Sequence, residues 1–322
     1  MGIVNLNRFL IDNVRKSAIH KQKLSQMKNR TISIDTSIYL YKYVSQNALC
    51  ENFYTMISLF RQNNITPIFV FDGKPPPEKQ DVLEERKQEK SRAEEQYKLM
   101  EEQWESKQES MTVEEQKEYK EEMEALKSQC IRIKNRDIAQ VKKLMKLYGV
   151  TYYEADGEAD QVCAGLVITG KAWACMSDDM DMFAYGCPRV LRHFSIINKN
   201  VLYYDLSKIC TDLRMDVEVF RKIAILSGTD YNIHSNTSLR ETMKWYETFV
   251  LDNRNQLDFY TWLRKNTKYI ENYEQLLKTV SMFDMTPELD KKMEEIQNIE
   301  LRDYDKEQLH EFLKEDGFVI PK

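Results

Sequence analysis

Val150-Thr-Tyr-Tyr-Glu-Ala155-Asp-Gly-Glu-Ala-Asp160 reads as a short strand running straight into a knot of carboxylates. About twenty residues on, Lys171-Ala-Trp-Ala-Cys-Met176 runs the same way into Ser177-Asp-Asp-Met-Asp181. Toward the N-terminus, Thr31-Ile-Ser-Ile-Asp35 and Pro67-Ile-Phe-Val-Phe-Asp72 are apolar runs of strand length that also stop on an acid. Gly73 and Pro75-Pro76-Pro77 close the second of them. Helical stretches are expected at Asn5 to Val14, at Thr36 to Val44, and at Phe53 to Asn63, where Phe53, Met56, Ile57 and Phe60 follow a 3-4 spacing. Four strands ending in acids and interleaved with helices predict an α/β fold: a mostly parallel twisted sheet flanked by helices. In such sheets ligands bind beyond the carboxyl ends of the strands.

Acids from different strand ends that share one crevice repel one another. At about 4 Å and an effective dielectric near 20, a like-charge pair costs on the order of 4 kcal/mol. A few such pairs would offset the roughly 5 to 15 kcal/mol that holds a domain folded, so a cation must sit among them. Hard divalent ions with oxygen ligands, magnesium or manganese, fit that demand. One acid at one strand end is more simply a cap for the next helix. Repetition at four strand ends favours a metal site.

The 322 residues suffice for one large domain or two modest ones, and 42% hydrophobic residues with a mean hydropathy of -0.61 describe a charge-rich chain. No apolar run reaches eighteen residues, and Met1-Gly-Ile-Val-Asn-Leu lacks the features of a signal peptide, so an intracellular location and no membrane partner are expected. Six cysteines without a CxxC and four dispersed histidines argue against zinc and against a disulfide framework. The net charge of -5 is concentrated: residues 78–124 hold 17 acids and 9 bases, a net of -8, which leaves the remainder at +3. Overall charge therefore does not exclude a phosphate-bearing partner.

That acidic segment contains no glycine or proline from Glu78 through Tyr148. Tyr97, Met100 and Trp104 repeat at helical spacing, as do Tyr119, Met123, Leu126 and Cys130. A break at Ser110-Met111-Thr112 precedes a capping box of Thr112 with Glu115. A helical hairpin standing off the sheet is predicted. By itself it reads as a charged coiled-coil arm for a protein partner. At its root, however, Lys79, Arg86, Lys87 and Lys90 recur about once per helical turn where the arm leaves the Asp72 strand end, placed to hold a phosphate.

Six stretches, in order, resemble the motif set of the flap endonuclease and XPG-type 5′ nucleases. They are Met1-Gly-Ile, Ile34-Asp35-Thr36-Ser37, Phe69-Val-Phe-Asp-Gly-Lys-Pro-Pro76, Glu158-Ala-Asp160, Asp179-Met-Asp181 followed by Phe183-Ala-Tyr-Gly186, and Leu226-Ser-Gly-Thr-Asp-Tyr231. The likeness covers residues 1 to about 235, with features of both the flap endonuclease and exonuclease-1 branches. It implies a PIN-like nuclease core, with residues 1–105 as its N-terminal part, 134–235 as its internal part and 78–133 as a helical arch, while the helical, charged sequence that follows reads by itself as a C-terminal helical region, 236–322, capping the sheet.

By the same resemblance the metal ligands fall on Asp35, Asp72, Glu158, Asp160, Asp179, Asp181 and Asp230, for two Mg²⁺ ions that Mn²⁺ can replace. The phosphate-gripping cations fall on Lys79 and Arg86. Substrate-facing positions fall on Gly2, exposed once Met1 is removed, on Tyr41, and on Gly228. The implied chemistry is two-metal phosphodiester hydrolysis leaving 5′-phosphate and 3′-hydroxyl ends, on DNA with 5′ flaps, nicks or ends. Replacing Lys79 or Arg86 by Ala should slow cleavage at least about tenfold and leave folding intact.

Some positions depart from the pattern. The glycine-rich, potassium-binding hairpin expected after Tyr231 is replaced by Asn232-Ile-His-Ser-Asn-Thr-Ser-Leu-Arg240, and two arginines that often meet DNA are Ala48 and Met56. The chain stops near Pro321-Lys322 without a basic tail or sliding-clamp motif, so clamp binding in the usual way is not expected. Such trimming resembles versions encoded by large DNA viruses, for which a nucleus or a cytoplasmic replication compartment is the expected location. Trp245, Tyr246, Phe249, Phe259, Tyr260 and Trp262 are expected as core anchors of the last region. A PIN-like ribonuclease and a non-catalytic scaffold whose arch binds protein are the alternatives, and the sequence is silent on oligomeric state.

Overall fold

The computed structural model describes residues 2–108, 111–232, 236–252, 257–285, 287–315 and 317–318. Its sheet is built from β1 (Ile19–Lys23), β2 (Thr31–Asp35), β3 (Thr66–Phe71), β4 (Thr151–Glu154), β5 (Ala174–Met176), β6 (Arg189–Ser195) and β7 (Asn200–Asp205). The spatial order is β1-β7-β6-β5-β2-β3-β4, parallel from β6 to β4, with β7 antiparallel to β6 and β1 antiparallel to β7. The four strands read from the sequence are β2 to β5, and they lie side by side. The other three escaped because charged and polar residues interrupt their apolar runs, as in Ile19-His-Lys-Gln-Lys23.

Alternate residues of β3 separate two cores. Ile68 and Val70 pack with helices Leu6–Asn13, Ala159–Ile168, Leu206–Leu213 and Val217–Leu226. Phe69 and Phe71 pack with Thr36–Ser45, Leu49–Gln62 and Asn135–Leu147. The C-terminal region divides between both faces of the sheet. Leu239, Phe259, Trp262, Leu276 and Met293 join the first core, and Leu309, Phe312 and Leu313 of helix Lys306–Glu315 join the second. The chain passes from one face to the other at the β4 edge, where Leu301 forms an antiparallel bridge with Val150 and the Arg302 N–H donates to Gly149 O at 2.9 Å. Of the expected anchors, Phe259, Tyr260 and Trp262 are buried, whereas Trp245, Tyr246 and Phe249 are partly buried against them.

The predicted hairpin is formed by helices Gln80–Lys107 and Val113–Gln129. Trp104 stacks on Tyr119 with centroids 5.7 Å apart, and the Tyr119 hydroxyl donates to Met100 O at 2.9 Å. Thr112 and Glu115 form the capping box reciprocally, although Ser110 of the predicted break lies outside the described residues. The hairpin leaves the sheet directly after β3, so its root stands beside the carboxyl ends of the strands.

Candidate active site at the carboxyl edge of the sheet

Asp35 closes β2 and Asp72 follows β3. Glu158 and Asp160 begin the helix after β4, Asp179 and Asp181 begin the 3-10 turn Met180–Phe183 after β5, and Asp230 follows helix Val217–Leu226. Two of these acids are indeed caps: Asp35 accepts from the Ser37 N–H at 3.1 Å, and Asp179 from the Asp181 N–H at 2.9 Å. Capping uses one oxygen of each. The second oxygen of Asp35 accepts from the Ser177 hydroxyl at 3.1 Å, and Ser177 in turn accepts from the Asp179 N–H at 3.1 Å. Asp72 accepts the Ala159 N–H at the start of the neighbouring helix, at 2.8 Å, and also a hydrogen bond from the Ser37 hydroxyl.

Burial sets the electrostatics. Asp35, Asp179 and Asp181 are only 5%, 7% and 4% exposed. Burial first, then the charges of Asp72 and Asp179, push the Asp35 carboxyl up to about 7. Burial and the facing acids likewise raise Asp160 and Asp181 well above the ordinary range, and burial raises Asp179 despite its bond from the Asp181 N–H. One carboxylate oxygen each of Asp160 and Asp181 is buried without a partner. An all-oxygen, mutually repelling donor set with unpartnered buried oxygens suits a hard divalent cation. In this arrangement, among the described residues, no three acids close on one point as a finished ligand set.

Protein cations hold part of the cluster instead. The Lys79 ammonium lies 2.5 Å from Glu158 Oε1, 3.5 Å from Asp230 Oδ2 and 4.9 Å from the Tyr231 ring centroid. Burial alone would lower its pKa, but Glu158, Asp230 and Asp160 outweigh burial and raise it, so Lys79 stays charged. Arg86 Nη2 reaches Asp230 Oδ2 at 2.8 Å, and the Tyr231 hydroxyl donates to Glu158. All seven predicted acids and both predicted cations therefore belong to one interacting group. Ser37, Ser177 and Tyr231 also join it. Sequence reading did not single these three out, although each lies inside or beside a quoted motif.

Gly2 adopts a φ of +74°, and a Cβ built there would stand 2.2 Å from Asp179 Oδ1 and 2.6 Å from Asp181 Oδ1. Met1 lies outside the described residues. Gly2→Ala should therefore displace the carboxylates and incur about 1 kcal/mol or more of left-handed backbone cost. A single-turnover rate lower by at least about tenfold is expected, some 1.4 kcal/mol of activation free energy. An unchanged rate would mean that the N-terminal segment does not constrain these acids.

The remaining positions lie farther out. Gly228 has a φ of +108° with open space around it. With Gly2 and Asp230 it lines a groove of about 1010 Å³ between helices Leu6–Asn13 and Leu239–Asp252, which also carries Arg8, Arg240 and Lys244. Tyr41 is 45% exposed, with Lys90 Nζ 4.8 Å over its ring. Met56 is wholly buried. Residues 233–235, the centre of the departure after Tyr231, lie outside the described residues. Before them Asn232 Oδ1 accepts from the Thr229 N–H at 2.6 Å, and its amide donates to Ile225 O at 2.9 Å.

A pH effect follows from the buried acids. A carboxyl whose folded pKa exceeds its ordinary 3.8 holds its proton more tightly when folded, so its stabilisation is present below about 4 and is lost as pH rises through about 7. In EDTA the melting temperature should fall between pH 5 and pH 7.5, and Mg²⁺ should raise it more at the higher pH. A flat profile in both buffers would contradict the clustering of these acids.

Residues 1–93 match the XPG N-terminal domain and residues 149–230 the XPG I-region. The chain is 28% identical to flap endonuclease 1 of Methanococcus aeolicus, over 92% of this chain and 87% of that protein. It is 32% identical to flap endonuclease 1 of Entamoeba histolytica, over 72% of this chain and 62% of that protein. It thus spans about three fifths of the length of such eukaryotic relatives. Among solved structures, the fold is similar to the catalytic core of Rad2 in complex with DNA substrate (TM-score 0.63, 18% identity, 98% of this chain and 94% of that chain). It is also similar to flap endonuclease-1 from Methanococcus jannaschii (TM-score 0.58, 21% identity, 93% and 91%).

Proposed function

The chain belongs to the flap endonuclease/XPG family of structure-specific 5′ nucleases, and from that premise we propose that it hydrolyses DNA phosphodiester bonds at 5′ flaps, nicks or ends. The observation that carries the reading is the mutually repelling set of the buried Asp35, Asp179 and Asp181 with the partly buried Asp160, beside the Lys79 and Arg86 cations. The family is metal-dependent. In this reading two divalent ions, Mg²⁺ or Mn²⁺, are held by the seven acids Asp35, Asp72, Glu158, Asp160, Asp179, Asp181 and Asp230. When bound, such ions supply Lewis acidity toward the phosphate and lower the pKa of the attacking water.

The chain's own residues do the rest. Lys79 and Arg86 are anchored on acids at the arch root and offer positive charge to the scissile phosphate as its charge develops. Tyr41 offers an exposed ring for a displaced base, which would have to move the Lys90 ammonium aside. The groove beside Gly2 and Gly228 accepts duplex through Arg8, Arg240 and Lys244. Residues 1–105 and 134–235 act as the nuclease core, 78–133 as the arch, and 236–322 as the helical region that straps both faces.

Incubation with flapped DNA, nicked duplex, blunt duplex and single-stranded RNA, in Mg²⁺ or EDTA, tests it, with Asp179→Ala as control. Metal-dependent cutting at the flap junction is expected. Cutting of RNA alone would point to a PIN-like ribonuclease, and silence on every substrate to a scaffold.

A further inference from the structure

Strand β6 is covered on both faces as far as Arg192. Val190, Leu191 and Arg192 are all buried, the register against β7 shifts between Arg192 and Ser195, and His193 takes a φ of +53°. A bulge of this kind re-aims a side chain and holds strained backbone in place. Arg192, still in regular register opposite Leu202, shares the covered face of Val190 at 5% exposure, with its guanidinium 5.6 Å from the Tyr204 ring centroid, and the bulge just after it puts Phe194 on the Leu191 face. Arg192 Nη1 donates to Asn7 Oδ1 at 2.7 Å, and Nη2 donates to the Asp178 backbone carbonyl at 2.8 Å. The Tyr204 hydroxyl donates to the same Asn7 oxygen at 2.6 Å, and the His193 N–H donates to Asp178 Oδ1 at 2.6 Å.

The two segments so joined are the two that meet at the acids. Asp178 stands between Ser177, which holds Asp35, and Asp179. Asn7 stands on the Leu6–Asn13 helix, just after the segment that lays Gly2 on Asp179 and Asp181. A buried guanidinium is costly unless its donors are used; here Nη1 binds a side chain from one segment and Nη2 a carbonyl from the other, while Nε is buried without a partner.

We propose that Arg192 is a positioning residue: with Asn7 and the bulge at His193, it locks the turn at residues 177–181 and the N-terminal segment into one unit, so that the acids meet divalent ions already preorganised. This rests on reading those acids as the metal site. Its test is Mn²⁺ binding to the DNA-free protein by titration calorimetry, together with kcat and KM on flapped DNA in Mg²⁺. Asn7→Leu removes the shared acceptor, Asn7→Asp keeps it, and Arg192→Lys keeps the charge without the two-pronged donation.

Asn7→Leu and Arg192→Lys should each weaken Mn²⁺ binding about tenfold or more, the scale seen for partners that orient metal ligands. They should lower kcat by a similar factor with KM for DNA within about twofold, while Asn7→Asp stays near wild type. Should Arg192→Lys not fold, as circular dichroism would reveal, Asn7→Leu decides. Wild-type Mn²⁺ binding and kcat in the folded variants, or equal losses in Asn7→Leu and Asn7→Asp, would overturn the proposal and leave the metal site standing. Failure of the wild-type protein to bind Mn²⁺, or wild-type binding by Asp179→Ala, would overturn both.

Discussion

Asp181→Asn is expected to cut flap cleavage on the order of a hundred- to a thousandfold while making the metal-free protein more stable. The rate loss is of the size that follows removal of one group that stabilises charge in a transition state. The gain in stability comes from the opposite side of the same residue. Asp181 is 4% exposed, faces Asp179 and Asp230, and leaves one oxygen without a partner. Asn is nearly isosteric and uncharged, so it relieves that repulsion. A rise of several degrees in melting temperature in EDTA corresponds to about 1 kcal/mol or more. Thermal melts with and without Mg²⁺, beside single-turnover cleavage, check both halves. A variant that loses stability in EDTA would mean that Asp181 is already compensated without metal.

Lys79→Ala should show the reverse pattern in the absence of metal. Sequence alone suggests that the arch root tolerates this change with folding intact, but the side chain is buried and bridges Glu158 and Asp230. Removing one partner of a buried pair costs about 3 kcal/mol or more because the other charge is left behind. Arg86 still holds Asp230, which limits the damage there. In EDTA the melting temperature should drop. Saturating Mg²⁺ should restore much of it, and cleavage should remain at least about tenfold slow. Arg86→Ala, with a half-exposed side chain, should slow cleavage with little loss of stability. Full activity in Lys79→Ala would place the phosphate elsewhere.

The opposite signs of these two effects reflect what the sequence did and did not disclose. The strand-end acids were legible because each knot follows an apolar run, and a charge that stops a strand in a parallel sheet has one edge to occupy, whereas Asp230, which follows a helix, was placed by the motif resemblance alone. The hairpin was legible from helical spacing and the Thr112 box. Strands β1, β6 and β7 were not, because His20, Lys21, Arg192 and His193 break the apolar runs that mark a strand. Arg192 was hidden for a related reason. A charged residue in a strand reads as facing solvent, but both faces of β6 are covered here, and Arg192 shares the face of Val190 beside Tyr204 and Asn7. Lys79 was identified by type and position, but not as buried, since burial depends on Tyr231 and Glu158 arriving from elsewhere in the chain.

The pairing of β1 with β7 orders events during synthesis. Residues 19–23 emerge from the ribosome early, yet their hydrogen-bonding partners at 200–205 are made much later. Until then the hydrogen bonds that Arg192 and Tyr204 donate to Asn7 on the N-terminal helix cannot both form. A nascent chain therefore carries its first two strand-end acids long before Asp179, Asp181 and Asp230 are made to complete the cluster.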